Sequence, residues 1–224
     1  MAESQPTTAL TFKNLYDRVI LRLGVTSPQA KQFVNDGYQY FISDNDWTFL
    51  YESYSESVVA PDTEIVLPLN FGSISGTVST SDGITLKDTS PSTIAMYRSM
   101  SDAVGLMEYY ALVPAYSVAG QTWKMQFYPV PEAATTISFQ YRKQANLLSA
   151  DGDYPLGGGL HTMTILQAAY MIWEQEKNQN NGIEYQKYRQ LLETSISRDN
   201  NFRSNTLPPT NTVIYASLIS GVVQ

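Results

Sequence analysis

Apolar positions recur with a helical period near both ends of the chain and with a strand period between them. Phe12, Leu15, Tyr16, Val19, Ile20 and Leu23 share one face of a helix over Thr11 to Leu23, and Gly24 supplies its stop. A second helix is predicted from Ser27 as cap, with Pro28 in its first helical position, through Ala30, Phe33, Val34, Tyr38 and Phe41 to about Ser43. After Asp44-Asn45-Asp46 the period shortens toward two, and a strand region opens at Trp47.

From Trp47 to about Asn146 the signals are those of strands. Ile65-Val66-Leu67 reads as a short strand ended by Pro68, and Gly76 to Thr80 faces Ile84 to Lys87 across Asp82-Gly83, residues that tolerate a hairpin turn. Ser90-Pro91 opens one short helix through Met100. Glu108 to Val113, Gln121 to Tyr128 and Thr135 to Lys143 follow as strands, with Pro129-Val130-Pro131 as a turn, and an antiparallel meander is expected. Past the Gly-rich linker Asp151 to Gly159, Leu160 to Lys177 is apolar on more than one face, so a centrally buried helix is expected. Ile183 to Arg198 is amphipathic.

The pattern predicts an α+β chain in which N- and C-terminal helix pairs form one helical bundle around an inserted antiparallel β domain. The expected divisions are residues 1–46 and 156–203 for the helical halves, 47–155 for the β domain and 204–224 for an extended C-terminal arm. That arm, Ser204 to Gln224, has no charged residue, and its β-prone apolar content would favour aggregation unless it docks on something.

Composition narrows the function classes. The 224 residues are 43% hydrophobic and 16% charged, a globular composition without a membrane-length apolar run. The N-terminal residues Met1 to Leu10 carry neither a basic segment nor an apolar stretch, so secretion by the usual route is not expected. Zero Cys excludes disulfides and thiolate metal sites. A net charge of -7 disfavours generic attraction to nucleic acid or anionic lipid. Between Lys31 and Lys87 there is no basic residue, while Asp36, Asp44, Asp46, Glu52, Glu56, Asp62, Glu64 and Asp82 all fall there.

Catalytic signals are weak. The single His, His161, opens the buried third helix and has no G-x-S-x-G or triad context around it. Gly157-Gly158-Gly159 lacks the Lys and spacing of a phosphate-binding loop. Asp44-Asn45-Asp46 and Asp151-Gly152-Asp153 do not continue into calcium-loop spacing, and turn or cap roles account for them. Glu52 and Glu56 on one strand would stand about 13 Å apart, too far for a glycosidase pair. No catalytic residue, metal or cofactor is expected.

The order of several short motifs resembles the head-to-tail adaptor, or head-completion, proteins of tailed bacteriophages, especially the podovirus type. The motifs are Asp46-Trp47-Thr48-Phe49-Leu50 after the second helix, then Ile65-Val66-Leu67-Pro68-Leu69-Asn70-Phe71, then Tyr109-Tyr110-Ala111. They continue with Phe127-Tyr128-Pro129-Val130-Pro131, Tyr141, and Tyr154-Pro155 before the helix near His161, over roughly residues 11 to 200. The resemblance implies a structural virion protein at the neck between capsid and tail, assembled from the host cytoplasm. Its implied partners are the portal protein, a tail or nozzle protein, and itself in a ring of about twelve, with no membrane.

Within that frame Leu207, Val213, Ile214, Tyr215, Leu218, Ile219, Val222 and Val223 are the candidate partner-binding residues. A DNA conduit should repel phosphate, so Asp62 and Glu64 are candidates to line or approach the channel, through which DNA would pass without specific binding. Two other readings are open: a receptor- or carbohydrate-binding tail module using exposed Trp and Tyr, and a hydrolase acting through His161.

Overall fold

The structure, a computed structural model, describes residues 9–101, 103–117 and 120–206. The chain divides into two compact units, residues 1–48 with 147–224 and residues 49–146. It is a mixed α+β protein.

The first unit holds α1 (Phe12–Leu23), α2 (Ser27–Ser43), α4 (Gly158–Glu176) and α5 (Ile183–Thr206). Thr11 caps α1 by accepting from the Asn14 N–H, and Gly24 ends it in the left-handed region at φ 66°. The cap of α2 is Thr26, one residue ahead of the expected Ser27, because the Gln29 side chain accepts from both the Thr26 N–H and its hydroxyl. Phe12, Leu15 and Val19 of α1, Phe33 and Phe41 of α2, and Tyr188 and Leu192 of α5 are buried. α4 is central, with Ile165, Ala168, Ala169 and Met171 out of solvent. It meets α2 at backbone distance: a Cβ on Gly37 would lie 2.5 Å from the Ala169 nitrogen.

The Asp- and Gly-rich stretch before α4 is part of this unit. The Asp153 and Asp151 carbonyls accept from the Phe12 and Lys13 N–H groups at 2.7 and 3.0 Å, satisfying free donors of the first turn of α1. The Asp151 carboxylate accepts from the Tyr16 hydroxyl at 3.0 Å and from Lys31 at 3.3 Å. Asp153 accepts from the Ser149 and Ala150 N–H groups, each at 2.8 Å. These aspartates are loop anchors.

The second unit carries β1 (Tyr51–Val58), β2 (Glu64–Val66), β3 (Phe71–Thr80) and β4 (Lys87–Asp88), then α3 (Pro91–Met100) and β5 (Val104–Gly105). It ends with β6 (Tyr109–Ser117), β7 (Gly120–Tyr128), β8 (Val130–Pro131) and β9 (Thr135–Lys143). The expected meander is not what forms. β6 and β7 pair as a hairpin, but β9 leaves them to become the centre strand of a β1-β9-β3 antiparallel sheet, while β7 and β6 sit in a β2-β7-β6-β4 sheet. Pro129 and Pro131 cannot donate to a ladder, and Val130-Pro131 pairs instead with β5.

The buried faces of the two sheets share one core, with Met125 and Phe127 of β7 clustering with Ile137, Phe139 and Tyr141 of β9. At the Asp82-Gly83 turn, Gly83 has φ 81° and donates to Thr80, while Thr80 donates to Ile84 at 2.9 Å. Ser90 caps α3 through the Thr93 N–H, and Arg98 ties α3 down by donating to the Thr63 and Phe127 carbonyls at 3.0 and 2.9 Å.

Candidate interaction surfaces

Trp47, read from sequence as the opening of the strand region, packs with the helical unit. Its indole Nε1 donates to the Phe41 carbonyl at 2.9 Å, and its ring lies 5.0 Å from that of His161. His161 also packs against Phe41 at 5.7 Å and is 1% exposed. Burial pushes its pKa below the ordinary value, against the opposing pull of Asp199. Its ring packs among the aromatic side chains of the core.

Three buried carboxylates organise the helical unit, and sequence reasoning passed over all of them. Asp199 accepts from the Thr48 N–H at 3.1 Å and from its hydroxyl at 2.5 Å, fixing the last residue before the chain enters the β unit. Glu174 accepts from the Glu184 and Tyr185 N–H groups at 2.9 and 3.0 Å, capping α5 from α4. Glu184 accepts from Arg22 at 2.7 Å, Gln167 at 2.6 Å and Lys187 at 3.1 Å. Burial opposes its ionisation, but the Gln167 hydrogen bond and the two cations outweigh that and hold the carboxyl below its usual range. Carboxylates at helical spacing read as solvated positions, so only the three-dimensional packing exposes these roles.

The acidic interval is divided between the two units. Asp36, Asp44 and Asp46 belong to the helical unit, where Asp44 accepts from the Tyr188 hydroxyl at 2.6 Å. The other five lie in the β unit, which holds nine acidic against five basic side chains. Glu52 lies 3.5 Å from Lys143, and Asp82 accepts from Thr135 at 3.0 Å. Of the two channel candidates, Asp62 is exposed on the turn after β1, its N–H donating to Val59 at 2.7 Å. Glu64 opens β2 and accepts from Lys124 at 2.5 Å and Gln126 at 3.3 Å, and the Lys124 bond holds its carboxyl below the usual range. The candidate partner-binding residues Leu207 to Val223 lie outside the described residues. The helix expected to end at Arg198 runs on, so Ser204 to Thr206 are its last turn rather than the start of an arm.

The helical unit also carries a groove between α1, α4 and α5. It comprises two adjoining cavities of about 520 and 710 Å³ that share Arg18 and Met163. Leu21 is 88% exposed there, Met163 56% and Leu160 55%, with Arg22 and Arg198 among the polar lining. Such exposed apolar area, rimmed by cations, suits contact with another chain segment.

Among the described residues no group of three or more His, Cys, Asp or Glu could hold a metal ion, and no helix is long and apolar enough to cross a membrane. No curated protein matches the chain. The family described as SU10 adaptor protein matches residues 10–212, both halves of the helical unit and the whole β unit between them. The chain therefore belongs to the SU10 adaptor protein family, phage head-tail adaptors with a structural role.

Proposed function

We propose that the protein forms a ring of about twelve copies seated on the portal, joining it to a tail or nozzle protein and leaving a channel for DNA. The observation that carries this reading is the family match over residues 10–212. In this arrangement the helical unit docks on the portal and the β unit faces outward or toward the tail, as the resemblance to the podovirus type of adaptor implies. Residues 204–224, through Val213, Ile214, Leu218 and Ile219, attach the subunit to the portal or to a neighbouring copy. Asp62 and Glu64 line or approach the channel, where negative charge lets DNA pass without being held. The protein resides at the virion neck and is made in the host cytoplasm.

A receptor- or carbohydrate-binding module would need aromatic rings presented to solvent on the β unit. Trp123, the Trp of that unit, is partly buried 6.5 Å from Phe71, and Tyr116 of β6 is the exposed ring such a module would use; the family match favours the adaptor reading. Mixing purified protein with portal rings tests the proposal. The expected result is monomer alone, because acidic subunits repel one another in a bare ring, and about twelve copies bound per portal. A stable ring without portal, or no association with it, would contradict the proposal.

A further inference from the structure

We propose that, in the free subunit, residues 207–224 lie in the groove between α1, α4 and α5 of their own chain. The groove leaves Leu21, Leu160 and Met163 uncovered, and the segment carries Val213, Ile214, Leu218 and Ile219 with no charge to leave behind on burial. The segment is tethered to the groove's own wall. Arg198 of α5 lines the groove and α5 ends at Thr206, about 12 Å further along the axis at 1.5 Å per residue. Pro208-Pro209 then bars continuation of that helix, and the 18 residues from 207 to 224 can span about 60 Å when extended, ample to return.

Apolar content selects this occupant over the alternative at the other end of the chain. Leu10 lines the groove, but the residues that precede it in sequence, 1–8, are mainly polar, so they offer little to cover Leu21 and Met163. Tethering raises the local concentration to the millimolar range, so a modest contact suffices. This assignment concerns the subunit before assembly and stands whether or not the segment is later passed to a portal.

Hydrogen exchange on the full chain is the test. Amides between 210 and 224 should exchange at least about tenfold more slowly than an unstructured peptide. Leu21→Asp with Met163→Asp, both at exposed positions, should abolish that protection while α2 and β9 keep theirs. Should the pair disturb the fold, Val213→Ser with Ile214→Ser and Leu218→Ser removes the same contact from the segment's side and leaves the groove intact. Free exchange in the unmodified chain, or protection that survives both variants, overturns the assignment. Protection lost on dilution would place the segment on a second copy, and also overturns it.

Discussion

The carboxylate of Glu174 fills the space that a side chain at position 182 would need. A Cβ on Gly182 would fall inside contact distance of both carboxylate oxygens, and Oε2 is the atom that accepts from the Glu184 and Tyr185 N–H groups. Gly182→Ala should push Glu174 off the start of α5 and cost about 1–2 kcal/mol, the value of a lost helix cap. Glu174→Ala should cost a similar amount, and Glu174→Gln less because it keeps an acceptor. Denaturant unfolding of the three variants checks this; an unchanged Gly182→Ala midpoint would contradict it.

Gly37 makes a stricter demand, because the atoms facing it are backbone. The Ala168 carbonyl carbon and the Ala169 nitrogen lie 2.7 and 2.5 Å from where a Cβ would stand, so α2 and α4 would have to separate. Gly37→Ala should destabilise by about 1–3 kcal/mol, the usual range for overpacking. Thermal unfolding measures it, and a melting point equal to that of the parent would show that the two helices can part cheaply.

His161 couples the helical core to pH. Burial lowers its pKa in the folded state, so above the ordinary value of 6.5 the ring is neutral whether folded or not and the stability is complete. As pH falls below 6.5 the unfolded chain takes up the proton first, and stability declines until the folded form is protonated too. His161→Phe should flatten this loss between about pH 6.5 and 5.5. Unfolding measured across that interval decides it; parallel pH profiles for the two proteins would contradict the assignment.

Much of this was legible in the sequence where a local rule settles a local outcome. The period from Phe12 to Leu23, the Gly24 stop, the Asp82-Gly83 turn and the Ser90-Pro91 helix start all appear as read. Pairing was not legible. Alternation at Ile137, Phe139 and Tyr141 identifies a buried face but does not say which strand lies alongside, and β9 took β1 and β3 in place of β7. The reach of α5 to Thr206 was missed because Asp199, Asn200 and Asn201 are weak helix formers; Asp199 turns inward to Thr48. The motif order led to the family, whereas the groove depends on three helices meeting and has no linear signature.

The channel assignment predicts an asymmetry between its two candidates. Asp62→Asn removes one exposed charge, whereas Glu64→Gln also releases Lys124 from its ion pair and so presents a cation to passing phosphates. Particles carrying Glu64→Gln should eject DNA more slowly than those carrying Asp62→Asn, and both more slowly than the parent. Ejection kinetics from purified particles are the measurement, and equal rates for all three would remove both residues from the channel.

Imaging the virion with this chain located in it tests the central claim most directly. The adaptor account predicts about twelve copies in a closed ring at the neck, with the helical unit against the portal. Copies found at the distal tip or on fibres, or a neck ring built from another protein, would contradict it.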